Sequence, residues 1–247
     1  MSAITPTHIP EIQKAIQELP FRESLRLLAE RFPGAVSFST SFSLEDQAVF
    51  FEIIASGADI RTFTLDTGRL FPETYSVWNI TLEKYGKPIH AYYPDALALQ
   101  AYVAENGPNA FYTSVDNRKT CCHIRKVEPL RRALAGQKIW ITGLRAEHSA
   151  ARQHLPELEW DEAHQLIKYH PILSWTTDEL RTFIDANNIP YNPLHDRGFV
   201  SIGCAPCTRA IRPGEDFRAG RWWWEDNSRK ECGLHEHTHS STSTVSN

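Results

Sequence analysis

No apolar run in this sequence approaches the ~18–20 residues needed to cross a bilayer. The opening MSAITPTHIPEIQK also lacks the apolar stretch of a secretory signal. The expectation is a soluble, cytoplasmic protein with no membrane partner. A strong excess of charge is missing too: the formal net charge is −4 over 247 residues, whereas a general nucleic-acid binder is basic overall. A local basic patch could still take a small anion. There is no internal repeat. Glycine is absent where a phosphate cradle would want it, since the loop Ser39-Thr40-Ser41-Phe42-Ser43 contains none. Cysteines number five, and in a reducing compartment so few thiols serve as metal ligands or catalytic groups rather than disulfides.

What is present suffices for one large core, 41% of residues being apolar. Residues 1–34 read as a helical lead-in, with Ile12, Ile16 and Leu19 and then Leu25, Leu28 and Phe32 at helical spacing before Pro33-Gly34. Strands follow at Ala35–Phe38, Ile60–Leu65, Ile89–Tyr92 and Ile139–Thr142, with a further one at Leu166–Tyr169. Between them lie helices from Leu44 to Ser56 (capped by Ser43, with Asp46 three residues on), from Pro72, over Asp95–Glu105, and through Cys121 and Cys122. Asn106–Asn117 reads as a loop, and Thr177–Asn187 as a helix capped by Thr176 or Thr177. This alternation predicts an α/β fold, an open and mostly parallel sheet with helices on both faces. Ligands of such sheets sit beyond the carboxyl ends of the strands. The loops 39–43, 66–69 and 143–152 are therefore expected to converge on one crevice. The α/β domain is expected over 35–211, a mobile C-terminal segment over 212–237, and a disordered Ser/Thr-rich tail over 238–247.

Ser39, Thr40 and Ser41 lie between a strand and a helix, where hydroxyls, backbone N–H groups and a helix N-terminus can face an anion. An ordinary capped turn is the plainer alternative. In Asp66-Thr67-Gly68-Arg69, Gly68 permits a tight turn, Arg69 can pair with phosphate or with Asp66, and Asp66 can orient a ribose or a loop amide. A simple turn with a solvated Arg fits as well.

The cysteines carry the sharpest signal. Cys121-Cys122 and Cys204-Ala-Pro-Cys207 make two chelating pairs, which together would form a four-thiolate site. Neighbouring helical residues diverge by about 100°, so Cys121 and Cys122 meet one centre only if the helix end points at it or the backbone is strained. Arg125 and Lys126 lie four residues beyond the two thiols and place cations beside them. Four thiolates suit zinc or an iron–sulfur cluster equally, and two buried cysteines plus a redox pair remain an alternative. Cys232 is left over, with Lys230 and His235 flanking it and Arg218 and Arg221 before it, all able to favour a nucleophilic thiolate. The Trp222-Trp223-Trp224 run could be core, a lid anchor or a docking patch. The alternating His235, His237 and His239 read as a solvated tail rather than a metal clip.

Taken together, these stretches resemble the sulfonucleotide reductases, and specifically the bacterial, thioredoxin-dependent adenosine 5′-phosphosulfate (APS) reductases of sulfate assimilation and cysteine biosynthesis. The likeness runs from about Phe32 to His235. It rests on SFST…LED at 37–46, LDTGR at 65–69, CCHIRKVEPL at 121–130, ITGLR at 141–145, IGCAPCTR at 202–209, GRWWWE at 220–225 and KECGLH at 230–235. The resemblance implies an adenine-nucleotide-hydrolase-like fold and a 4Fe–4S cluster on Cys121, Cys122, Cys204 and Cys207 with Lys126 beside it. It makes Cys232 the nucleophile. It implies that Arg218 and Arg221 bind the phosphosulfate, helped by the 39–43 loop and by Gly143 through Arg145, with Arg152 and His235 as further substrate contacts. The expected reaction reduces APS to sulfite and AMP through an S-sulfonated cysteine, with thioredoxin or a glutaredoxin-like protein as donor. Oligomeric state is open, a homo-oligomer included. Relatives using 3′-phosphoadenosine 5′-phosphosulfate (PAPS) typically lack the two cysteine pairs, so APS is favoured, with PAPS or dual use as the alternative. A tRNA sulfur-transfer enzyme on the same fold and a zinc-stabilised nucleotide-binding module are the more distant readings.

Overall fold

Strands rich in buried apolar residues build one six-stranded sheet, seen here in a computed structural model that describes residues 3–148 and 152–225. The strands are β1 (Val36–Ser39), β2 (Arg61–Leu65), β3 (His90–Tyr92), β4 (Ile139–Ile141), β5 (Leu158–Asp161) and β6 (Leu166–Tyr169), in the order β3-β2-β1-β4-β6-β5. All neighbours run parallel except β5 and β6. β4 and β6 are buried at every position, as parallel strands covered on both faces must be. The expected α/β sheet with helices is the observed one.

Helices α1 (Ile9–Ile16) and α2 (Phe21–Arg31) form the lead-in, and Ile12, Ile16, Leu25 and Leu28 enter the main core with Val36, Phe38 and Ile141. α3 (Leu44–Ser56) starts where Ser43 accepts a hydrogen bond from the Asp46 N–H at 3.2 Å. It is buried on nearly every side, packing Val49, Phe50 and Ile53 against the main core and Leu44 and Ala48 against Leu180 and Ile184. The latter belong to α8 (Thr177–Ala186), which Thr176 caps in a capping box with Glu179. α4 (Pro72–Tyr85) and α5 (Ala96–Asn106) complete the first half.

Three differences from the sequence reading have local causes. β5 was not anticipated because Glu159 and Asp161 break its apolar pattern; in the sheet they pair with Lys168 of β6 at 3.4 and 3.1 Å, and Trp160 faces Ile167. The expected loop 106–117 holds a 3₁₀ turn at Ala110–Tyr112 and the start of α6 (Val115–Cys122), capped by Ser114. Finally, α6 passes into α7 (Glu128–Leu134) through a π-helical turn at His123–Val127. Such turns are uncommon and recur at functional sites. This one follows directly on Cys122, so the irregularity that two adjacent cysteines demand is built into the helix.

Candidate active site

The strand order reverses direction at β1, whose neighbours are β2 and β4. At such a switch point the loops leaving adjacent strands diverge and open a crevice. A cleft of about 220 Å³ lies there. Its floor comes from the loop after β1 (Ser39, Thr40, Ser41) and the loop after β4 (Thr142, Gly143, Leu144); Lys126, Arg152, Arg218 and Arg221 bring positive charge to its wall.

The serine loop is held by the protein's own groups. The Trp140 indole N–H donates to Ser39 Oγ at 2.8 Å. The Ser41 N–H and hydroxyl both donate to Asp46 Oδ2, at 2.6 and 2.7 Å. Phe42 turns through a left-handed backbone conformation (φ 61°) to bury its ring against Trp78, centroids 5.4 Å apart. A bulky residue in that conformation is strained, and the buried stacking offsets it. The negative end thus offered to α3 is Asp46 itself, whose carboxyl burial pushes up to about 6 against the opposing Ser41 hydrogen bonds. Glu45 and Asp46 also line the cleft, so it is bipolar rather than uniformly cationic.

Arg221 is the best-placed cation. Its side chain is buried, its Nη1 reaches only Ser201 Oγ at 3.4 Å, and its Nε has no hydrogen-bond partner among the described residues. A buried guanidinium in that state is a receptor for an acceptor from outside. Gly203 makes the placement possible, because a Cβ there would collide with the guanidinium.

Next to the cleft all four cysteines of the two pairs line one small cavity together with Arg69, Arg118, Arg125 and Lys126, with no carboxylate among the described residues of its wall. All four are free thiols. Thr67 Oγ lies 3.3 Å from Cys204 Sγ, and the Ala205 N–H donates to the Arg69 carbonyl at 2.8 Å, stapling the 66–69 loop to the Cys204–Cys207 turn. Burial pushes the Cys207 thiol up to about 12, helped by Cys204 and Cys122. Burial also raises Cys121, with Arg125 pulling the other way. Among the described residues no three His, Cys, Asp or Glu side chains are gathered tightly enough for a single metal ion; the thiols surround a space, not a point. Lys126, on the π-helical turn, lines both this cavity and the cleft.

The Arg-Trp run ties the two together. The Trp222 N–H donates to the Cys207 carbonyl at 3.2 Å, and Thr208 and Arg221 form an isolated antiparallel bridge. Trp222 is fully buried, takes a left-handed backbone (φ 39°), and is flanked by Arg118, Arg221 and Arg218 at 4.6, 4.9 and 5.9 Å from its ring. Of the three readings of this run, core holds for Trp222, while Trp223 stays partly exposed.

Several candidate residues sit elsewhere than the sequence reading put them. Arg145 does not line the cleft; it is buried in ion pairs with Glu45 at 3.0 Å and Glu147 at 2.8 Å. The 66–69 loop turns toward the cysteines rather than converging on the crevice. Asp66 accepts from the Gly68 N–H and the Tyr75 hydroxyl, both at 2.8 Å, the Thr67 carbonyl accepts from Arg125, and Arg69 lies over Phe111. Cys232 and His235 lie outside the described residues, as do the tail and residues 226–237 of the expected mobile segment. Arg118 was missed. It pairs bidentately with Glu225 at 2.8 and 2.9 Å, both side chains nearly inaccessible, and acts on Cys122. Its position three and four residues before the cysteine pair was the available signal. Asp46 was read only as part of a helix start.

Residues 35–210 match the phosphoadenosine phosphosulfate reductase domain. The chain belongs to that family. Among similar proteins, an adenosine 5′-phosphosulfate reductase of Burkholderia cepacia is 48% identical, covering 95% of this chain and 93% of its own length. One from Allochromatium vinosum is 49% identical over 88% and 86% of the two chains. In structure, a phosphoadenylyl-sulfate reductase of Candida auris, solved with phosphate, superposes with TM-score 0.71 at 27% identity over 85% of this chain and 99% of that one. An FMN adenylyltransferase of Candida glabrata (TM-score 0.53, 16% identity, covering 91% of this chain and 76% of that one) shares the fold. Among the described residues no helix is long and apolar enough to cross a membrane.

Proposed function

We propose that this chain reduces APS to sulfite and AMP with electrons from a thioredoxin-type dithiol, through an S-sulfonate on Cys232. The carrying observation is the pairing of a cation-walled nucleotide cleft with a four-cysteine cavity through one shared residue, Lys126. The family and the APS reductases at nearly half identity support it.

In this reading the phosphosulfate lies among Lys126, Arg152, Arg218 and Arg221, with Ser39 and Thr40 on the floor below. Ser41 serves by holding Asp46, and Gly143 by letting the nucleoside approach the strand ends. The Cys232 thiolate attacks the sulfate sulfur. The bond from sulfur to the bridging oxygen breaks, its electron pair leaves with AMP, and the four cations stabilise the charge that grows on the leaving phosphate. A thiolate of the donor then attacks Cys232 Sγ and expels sulfite, and the donor's second thiol resolves the mixed disulfide and restores Cys232. His235 is assigned a contact to substrate near the nucleophile. Arg145 and the 66–69 residues act from behind, the former bracing α3 and the latter bracing the cysteines.

The cysteine cavity fits a thiolate-bound metal group. Its donors are four soft sulfurs, its wall is cationic, and burial disfavours the free thiolates that a metal would stabilise. A 4Fe–4S cluster held by Cys121, Cys122, Cys204 and Cys207 would supply a fixed electrostatic and structural centre. Thiol chemistry alone accounts for every bond made and broken.

The test is single-turnover. Wild-type protein with APS and no reductant is expected to gain one SO₃ group on the Cys232 peptide and release AMP in equal amount. If the added mass maps to Cys204 or Cys207, or if Cys232→Ser still forms sulfite, the mechanism is wrong.

A further inference from the structure

The Ser39 hydroxyl at the cleft floor is oriented by a residue from another strand. Trp140 stands on β4 in register with Ser37 of β1, so its side chain and that of Ser39, two residues on, share one face of the sheet. Its indole N–H donates to Ser39 Oγ at 2.8 Å. An indole nitrogen only donates, whereas a hydroxyl both donates and accepts. The contact therefore occupies a lone pair of Ser39 Oγ and leaves the hydroxyl proton to point elsewhere. Among the described residues that proton has no acceptor. Ser39 and Trp140 both line the cleft, with Lys126 in the same lining.

The indole is held on several sides. It is buried and packs with Phe63, Leu130, Leu134 and Leu166. Lys168 lies over its ring at 5.3 Å, itself paired with Glu159 and Asp161 at 3.4 and 3.1 Å, and His164 meets the ring edge-on at 5.9 Å. The charged groups of β5 and β6 stand outside the described lining of the cleft, yet they fix a ring that belongs to it.

We propose that Trp140 is a positioning residue, whose N–H makes Ser39 a donor aimed at an anionic phosphate oxygen of the bound nucleotide. This rests on the APS reading above. A donor oriented before the ligand arrives needs no ordering when it binds, and no reorganisation when charge grows on the phosphate. Without the N–H, Ser39 is free to turn its proton to water or to a backbone carbonyl.

The experiment is a double-mutant cycle on AMP binding to the purified full chain, read by calorimetry and needing no turnover. Ser39→Ala should weaken AMP about tenfold, the scale of one hydrogen bond to a charged group. Trp140→Phe keeps an aromatic ring and loses the N–H, and should weaken AMP about three- to tenfold. The double variant should bind as Ser39→Ala does, within about twofold, because the two residues act as one unit. Additive losses mean that Trp140 acts by packing alone and overturn the proposal, as does an unchanged affinity in Trp140→Phe. Adenosine, measured by its displacement of AMP, should bind Ser39→Ala as it binds wild type; an equal loss for adenosine overturns the assignment to phosphate. Should Trp140→Phe fail to fold, benzothienylalanine at position 140, with sulfur in place of the N–H and the ring shape kept, takes its place in the cycle. Each of these failures leaves the APS reading standing, whereas failure of wild-type protein to bind AMP overturns both.

Discussion

The cleft and the cysteine cavity share Lys126, and burial raises an acid in each, yet they counter that burial with different groups. In the cleft, Asp46 is shifted only to about 6, because two hydrogen bonds from Ser41 counter its burial. In the cavity, burial drives Cys207 to about 12 although Lys126 and Arg221 pull the other way. In the cleft the carboxylate is thus held by the protein's own residues, while the buried Arg221 stands open to an anionic ligand. The cavity is poorly satisfied by its own residues and is completed by what binds there. The difference teaches which site depends on which. Loss of the cavity's occupant should disturb the cleft through Lys126 and Trp222, while loss of cleft residues should leave the cavity whole.

The hardest break of that asymmetry is Cys122→Ser. It should abolish bound iron and sulfite formation together, whereas Arg221→Gln should keep wild-type iron content. Anaerobic purification followed by elemental analysis decides, with about four irons per chain expected for one 4Fe–4S cluster; a colourless wild-type protein with one zinc would sink the cluster assignment. For Arg221→Gln, kcat/KM for APS is expected to fall about 10²–10³-fold, the scale of losing one charge-stabilising donor.

Next in size is Arg118→Ala. The Arg118–Glu225 pair is nearly inaccessible, and removing one partner of such a pair costs about 3–5 kcal/mol, because the other charge stays buried alone. The same change frees one flank of Trp222. Denaturant midpoints should report the loss. If Arg118→Ala is as stable as wild type, the Arg-Trp run does not strap the cavity and does not link the two sites.

The sequence made the cleft's frame readable because backbone signals are local. Ser43 with Asp46, Thr176 with Glu179 and the apolar Ile139–Ile141 each announce their element within a few residues. The four cysteines were readable because thiols in pairs are rare. What escaped was set by geometry between distant segments. The 66–69 loop looks like a ligand loop in sequence, and only the Ala205–Arg69 and Thr67–Cys204 contacts show that it braces the cysteines. Arg145 looks like one more anion binder until Glu45, a hundred residues earlier, is seen to hold it. β5 was hidden by carboxylates that only Lys168 of the neighbouring strand explains.

The smallest effect belongs to the cleft side alone. His195 is buried near Glu45 of the cleft, with Nε2 unpartnered among the described residues, and burial lowers it to about 4 despite that carboxylate. Its value in the unfolded chain is about 6.5. Above that pH both states hold it neutral and its contribution is complete. Between about 6.5 and 4 the unfolded chain takes up a proton that the folded chain refuses, so stability falls with pH, by at most about 3 kcal/mol. His170, also lowered by burial, acts in the same direction. Asp46 opposes them: its raised carboxyl binds a proton in the fold before the unfolded chain does, so stability rises as pH falls from about 6 toward 4. Asp46 therefore offsets part of the acid sensitivity that the two histidines give the wild type. His195→Gln should flatten it further or reverse it, and Asp46→Asn, which removes the opposing group, should steepen it. Urea midpoints measured from pH 7 to 4.5 on the three proteins test the signs. If the two variants shift the slope in the same direction, the electrostatic account of the cleft floor is wrong.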